Sequence, residues 1–413
     1  MTKQAQVNQK KVVAITLGVI FGLIIVGVVF VVFFLSGNVR SGKISDGMVF
    51  YLNQDKDGYY VGKDKSSDTT NIVVPETFKN KPVIGIKEKG FISSSITSIT
   101  LPNTIKYVAP DAFGYSEDDD YYNMNSGGYY LGNDENPYLV LVYINNAAST
   151  VADGCKVIAG NAIGKDVGRL SIPKTVEYIS PAAFASVENR CYKQNGILED
   201  SGLVSITVDK DNAYYTSRLD LGIKRDENLT YEESSMLLNK EETRLIYVTP
   251  NTLMVPDTVE FCESYAFGNP NYGSAYTYIH NLVGTKEAYI ASESNPNFIQ
   301  IGAPYAANGS AVTIKDGVKI IASSVSGSGS YILPDSVVQI LPGAFVYGTS
   351  VTASTGGWFN NLVYLDGMAY DMVLSATNAD KEIVYLKRGD YDIIEKENLN
   401  NANFETSDFR RYN

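Results

Sequence analysis

Few side chains in this sequence could carry out a reaction. His280 is the one histidine, and Cys155, Cys191 and Cys262 are the three thiols, among 413 residues. A nucleophile activated by a base would have to be built from Cys191 and His280, and no spacing motif supports that pair. A lone histidine in a loop reads as exposed. Cys155 and Cys262 fall on apolar positions of a repeat and read as buried thiols behaving as small hydrophobes. Cys191 is the third thiol, and the spacings give no disulfide scaffold. There is no Gly-x-Ser-x-Gly elbow, no phosphate loop, no dinucleotide fingerprint and no Cys/His cluster with zinc spacing. Asn53-Gln-Asp55-Lys-Asp57-Gly58 with Asp64 resembles a calcium loop, but its twelfth position is Asp64 in place of the bidentate glutamate. Strand-like flanks make an Asp-Gly hairpin turn the better reading. Glu117 to Asp120 reads as a solvated acidic loop. The expectation is a protein that is not an enzyme and takes no cofactor or metal.

The chemistry that is abundant is that of recognition. Tyrosine occurs 30 times. Four segments concentrate it with Gly, Asn and Ser: Gly114 to Pro137, Ala185 to Gly202, Gly268 to Asn281 and Val346 to Asn361. They hold Tyr121, Tyr122, Tyr129, Tyr130, Tyr192, Tyr272, Tyr276, Tyr278 and Trp358. Tyr beside Ser, Gly and Asn is the composition of binding loops, because Tyr offers contact area at little rotamer entropy. These nine aromatics are the candidate binding residues. The competing reading is that they pack back onto their own scaffold.

The scaffold is legible as a nine-residue phrase, apolar-x-x-apolar-x-x-x-small-apolar. Its best copies run from Ile105 to Phe113, Val176 to Phe184, Val259 to Phe267 and Val337 to Phe345. Each starts three residues after a proline: Pro102, Pro173, Pro256 and Pro334. Looser copies begin at Val83, Cys155, Val318 and Tyr391. The closest copies, such as 83 and 105, are spaced like the turns of a leucine-rich-repeat solenoid. The apolar alternation before each proline is a strand, ended because proline cannot donate to a sheet. The apolar and small-aromatic positions should point inward, and one turn buries them only against its neighbours. The alternative, unrelated amphipathic helices, does not explain the shared proline offset. Each Tyr-rich segment leaves just after the small-aromatic pair, so all should project from one edge.

Leu101-Pro-Asn-Thr-Ile105, Ile172-Pro-Lys-Thr-Val176, Val255-Pro-Asp-Thr-Val259 and Leu333-Pro-Asp-Ser-Val337, each followed by the phrase, resemble the BspA-like leucine-rich repeats of bacterial surface antigens. Val74 to Val83 is similar to that family's opening repeat, and Met236 to Val248 to its hairpin connector. The resemblance implies a curved right-handed solenoid with a parallel sheet along one side, surface display, adhesion and protein binding. The long insertions after Ala-Phe depart from the family's usual form, so the adhesive role transfers only as a class.

Val12 to Leu35 is free of charge. As a helix at ~1.5 Å per residue it spans about 36 Å, more than the ~30 Å hydrocarbon core. Lys3, Lys10 and Lys11 outweigh Arg40 and Lys43 and favour a cytoplasmic N-terminus. The net charge is −12, with every acid beyond residue 35, which argues against nucleic acid. The expected organisation is a cytoplasmic segment 1–11, a transmembrane signal-anchor helix 12–35, a linker 36–43, an α+β leucine-rich-repeat solenoid 44–399 and a polar tail 400–413. The expected function is recognition of a protein or glycan ligand at the cell surface, in adhesion to host or neighbouring cells. The alternative is an envelope scaffold that binds membrane proteins of the same cell.

Overall fold

The computed structural model describes residues 43–53, 56–93, 95–109, 111–115, 120–187, 190–194, 197–224, 231–249, 252–263, 265–268, 288–302, 311–322, 330–341, 344, 350–354, 364–366, 383–386 and 393–396. The expected membrane segment 12–35, its flanks up to residue 42, and the tail from 400 lie outside these. Among the described residues no helix is long and apolar enough to cross a membrane. They form strands and turns with no helix, so the α component expected of the solenoid is absent there. The reason is local. Each apolar stretch is too short for a helix and ends at a turn that pins the chain.

The described coils pair at up to three sites. The first is the strand that enters the coil, before proline in several copies. Asn71–Val73 pairs in parallel with Ser98–Thr100, Ala148–Thr150 with Arg169–Ile172 and on to Ser205–Val208, and Ala311–Thr313 with Ser330–Leu333. Leu170 and Ile172 point inward while Arg169 and Ser171 face out, as the period of two requires. A turn follows, closed by the N–H of the phrase's first residue on the proline carbonyl: Ile105 to Pro102 and Val259 to Pro256, both 3.2 Å.

The second site lies inside the phrase, at its third and fourth positions. Tyr107–Val108, Val157–Ile158, Tyr178–Ile179, Phe261–Cys262, Ile320–Ile321 and Gln339–Ile340 are two-residue strands. A corner then closes between the fifth and eighth positions, with Ala183 N–H on Ser180 at 2.8 Å and Ala266 N–H on Glu263 at 3.0 Å. Ala112, Ala183, Ala266 and Ala344 are buried at this corner, where the chain reverses toward the coil interior. The third site is the small-aromatic pair itself, where Phe91 bridges Phe113 and Ile144 bridges Ile163, both in parallel. The sequence suggested one sheet along one side. Among the described residues coils pair along as many as three lines, because the phrase is extended rather than helical.

Antiparallel hairpins stand before the first copy and in the long steps from 105 to 155, 176 to 259 and 259 to 318. Met48–Leu52 pairs with Tyr59–Lys63, Gly128–Leu131 with Val140–Ile144, Tyr231–Asn239 with Arg244–Val248, and Ala288–Ser292 with Ile299–Gly302. The second strand of each pairs in parallel with the phrase that follows: Lys81–Ile86, Val157–Ile158, Phe261–Cys262 and Ile320–Ile321. The described residues up to 354 therefore form four blocks, each opened by a hairpin. The Tyr-rich segment 114–137 is not a loop projecting from the coil edge, since it forms Asn123–Asn125 and Gly128–Leu131 of the second block's sheet. Its turn, Ser126-Gly127, has φ of 50° and 76°, the left-handed pair a two-residue hairpin needs.

The hairpins also fuse the core. Leu237, Ile246 and Tyr247 join the cluster of the first two blocks, while Met236, Leu238, Leu245 and Val248 join that of the later ones. Both faces of this hairpin are buried, which explains its unbroken apolar runs. Asn136 and Asn295, each followed by proline, bolt hairpin loops to the next coil through Nδ2 donation to Gly154 (2.8 Å) and Gly317 (2.7 Å).

A block that ends exposes a strand edge, and side chains from elsewhere seal it. Ile179 N–H donates to Tyr215 Oη at 2.8 Å. Cys262 N–H donates to Gln339 Oε1 at 2.8 Å, and Gln339 Nε2 donates back to the Cys262 carbonyl at 2.7 Å. Tyr215→Phe should lower stability by about 1–3 kcal/mol by orphaning the buried Ile179 N–H. An unchanged urea midpoint would show that the hydroxyl is not the seal.

Cys155 and Cys262 are fully buried, as their repeat positions implied. Burial pushes the Cys155 thiol up to about 12 and the Cys262 thiol well above its ordinary value, which keeps both protonated. Cys191 lies in the strand Arg190–Gln194, with its side chain outside the described residues.

Glu263 is buried one residue further on, with Arg244 Nη1 at 3.3 Å. Burial holds its carboxyl above the ordinary carboxylate range, and Arg244 offsets part of that rise. The folded chain thus favours the protonated acid. Its contribution to stability is full below the unfolded pKa and is lost as pH rises from there through the folded pKa. Glu263→Gln should flatten this segment of the pH–stability curve, read as urea midpoints from about pH 4 to neutrality. Parallel curves for variant and wild type would refute it.

The calcium-like segment is a hairpin connection. Asn53 Oδ1 accepts from the N–H groups of Asp57 (3.0 Å) and Gly58 (3.1 Å), and Asn53 Nδ2 donates to Asp57 Oδ1 at 2.6 Å. Asp55 lies outside the described residues. Among those described, no group of three metal-ligating side chains converges. Glu117 also lies outside them, while Asp120 is exposed.

Candidate binding site

The second block's hairpin sets out tyrosines by strand alternation. Tyr129 faces Tyr143 across the antiparallel pair. Tyr115 lies two residues past Phe113, and Tyr121 and Tyr122 precede the edge strand Asn123–Asn125. Tyr115 is the hub, with ring centroids 4.4 Å from Tyr143, 4.8 Å from Tyr129 and 5.9 Å from Tyr122. Tyr121 adds to Tyr122 at 4.5 Å, and Tyr122 meets Tyr129 edge-on at 6.1 Å. Offset and edge-on contacts of this kind are the favourable ones for aromatic quadrupoles. Tyr122 is buried; Tyr115, Tyr121, Tyr129 and Tyr143 are half-buried.

Three of the predicted residues, Tyr121, Tyr122 and Tyr129, are thus brought together. Tyr130 is a correction. The period of two turns it to the opposite face, where it is fully buried. Its hydroxyl oxygen accepts the Ala152 N–H at 2.9 Å, its ring meets Tyr138 at 5.4 Å, and burial drives the phenol upward in pKa. It is core, as the competing reading of the loop aromatics held. Tyr192 sits in a hairpin strand opposite Glu199, its side chain outside the described residues. Tyr272, Tyr276, Tyr278, His280 and Trp358 also fall outside them.

A cleft of about 560 Å³ borders the cluster, where the first block's last corner meets the second block. Tyr115 and Tyr143 line it with rings, and Asp111, Asn161, Lys165 and Ser186 line it with polar groups. Asp111 and Asn161 hold the same seventh position in successive copies of the phrase. Both have positive φ, 51° and 60°, a conformation Asp and Asn tolerate because their short polar side chains bond locally. Asn161 Nδ2 donates to Asp111 Oδ1, so the two coils are stitched at the rim. Small residues, Ala109, Ala159 and Gly160 among them, leave the space open.

Sequence reading missed Tyr115, Tyr143, Asp111, Asn161, Lys165 and Ser186. Tyr115 directly follows Ala-Phe-Gly, and Tyr143 is the one polar-tipped residue in the apolar run Val140 to Ile144; both were available signals. The meeting of residues 111 and 161 depends on how coils stack and has no local mark. The arrangement offers aromatic faces, a carboxylate–amide pair and one ammonium, which is equipment for binding. Its volume lies within the ~300–1,000 Å³ of small-ligand sites.

No family model matches the chain, and no curated protein matches it. Among solved structures, the chain is similar to a leucine-rich repeat protein from Eubacterium ventriosum at 15% identity, over 79% of this chain and 78% of that one, TM-score 0.29. It is similar to the pneumococcal vaccine antigen PcpA at 12% identity, over 84% and 99% of the two chains, TM-score 0.26. A leucine-rich cell surface protein from Faecalibacterium prausnitzii is similar at 14% identity, over 79% and 82%, TM-score 0.19.

Proposed function

We propose that this chain is a membrane-anchored cell-surface recognition protein of the BspA-like leucine-rich-repeat type, binding a protein or glycan ligand in adhesion to host or neighbouring cells. One observation carries the reading. Tyrosines from separate strands and loops gather into a half-buried cluster beside a cleft. Rigid tyrosines held by their neighbours bind without ordering cost. The apolar run 12–35 supports the anchor, and the lysine bias at residues 3, 10 and 11 supports outward display.

The test uses the full chain in detergent, offered host matrix proteins, surface glycans and membrane proteins of its own cell. Replacing both Tyr121 and Tyr129 by Ala should weaken capture of the ligand at least tenfold, with the strand signature of the fold retained. Undiminished capture would sink the reading, and preferential capture of the cell's own membrane proteins would replace adhesion with scaffolding. Protease shaving of intact cells should release fragments from the solenoid; a fully protected solenoid would overturn the topology.

A further inference from the structure

We infer that the cleft between the first two blocks takes a short neutral oligosaccharide. This rests on the recognition reading above and names its ligand class. The cleft is the size of a small-ligand site, whereas a stable protein partner needs on the order of 1,000 Å² of buried surface. Its lining is of two kinds. Tyr115 and Tyr143 present half-buried aromatic rings. Asp111, Asn161 and Ser186 offer carboxylate, carboxamide and hydroxyl groups, all able to serve the hydroxyls of a sugar. A pyranose has this same division, an apolar C–H face and a rim of donors and acceptors.

The charges favour a neutral ligand. Asp111 and Lys165 contribute one charge of each sign to the lining, and the chain as a whole carries −12, which repels anions. The Asp111–Asn161 bond and their left-handed backbones fix the polar groups in advance. The Tyr129–Tyr143 strand pair and the ring contacts of Tyr115 fix the aromatic ones. Both kinds of group come from both blocks, so the ligand would bridge the junction at residues 109–115 and 142–165.

The test titrates the full chain, in a detergent without a sugar headgroup, with a panel of neutral di- and trisaccharides, reading binding by NMR saturation transfer and calorimetry. At least one should bind. Tyr143→Ala should weaken that binding tenfold or more, and Tyr143→Phe should keep it within about threefold, since stacking needs the ring rather than the hydroxyl. Ser186→Trp, which fills the cleft from a half-exposed position, should abolish it, and stands in should Tyr143→Ala fail to fold. Sugar binding that survives both cleft variants would overturn the assignment. Absence of any sugar binding, with a protein ligand still captured through Tyr121 and Tyr129, would overturn the ligand class and leave the recognition reading standing. Absence of both would remove the two together.

Discussion

Phe184→Ala should destabilise the chain by about 3–5 kcal/mol, the range for deleting a fully buried aromatic. Phe184 ends the phrase that begins at Val176 and is 0% exposed. Its ring stacks on Tyr247 at 4.4 Å and 23°. Tyr247 belongs to the hairpin that opens the third block, so this stack joins the second block to the third. In a repeat array, stability is close to a sum of unit and interface terms. Loss at one interface should therefore split the transition as well as lower it. Urea unfolding followed by far-UV circular dichroism should show a lower midpoint and a broadened or two-step curve. Phe184→Leu, which keeps much of the volume, should recover a large part of the loss. A single sharp transition at the wild-type midpoint would show that this interface is not a weak joint.

Gln339→Leu should cost about 2–6 kcal/mol, because it orphans two buried backbone groups of Cys262 at about 1–3 kcal/mol each. Gln339 is 0% exposed, and its carboxamide makes a two-way bridge with a residue 77 positions earlier. It substitutes for a strand on the free edge of Phe261–Cys262. Leucine fills similar space but neither donates nor accepts, so the hydrogen bonds rather than the volume are under test. Gln339→Glu should also lose stability at neutral pH, since an oxygen would then face the Cys262 carbonyl. The measurement is the urea midpoint with amide exchange at Cys262, which should speed up in the leucine variant. Wild-type protection of that amide in Gln339→Leu would rule out the carboxamide seal.

The coil itself was legible. The fixed interval from proline to phrase foretold strand, turn and inward apolar positions, and it assigned Cys155 and Cys262 to the core. These are short-range matters, set by proline's missing donor, by period-two alternation and by the small residue a corner requires. The hairpin at Met236 to Val248, which the resemblance to BspA-like repeats implied, is present. The long steps between copies were misread. Segment 114–137 has the composition of a loop, yet its Ser126-Gly127 turn makes it sheet. Composition reports what a segment can bind, whereas register decides which of its side chains remain outside. Tyr129 and Tyr130 are neighbours in sequence, yet Tyr129 joins the tyrosine cluster and Tyr130 the core, across a register shift in their pairing with Val140–Ile144.

By itself, the sequence determined that this chain repeats, that its repeats must stack to bury their apolar faces, and that its 30 tyrosines gather with Gly, Asn and Ser in the segments between copies. Only the tertiary structure decided which tyrosines meet, that Asp111 and Asn161 share a rim, and that Gln339 closes a distant edge. Those contacts join residues tens of positions apart. They are set by how one coil seats on the next, a geometry that arises from the packing of whole layers and leaves no local pattern in the chain.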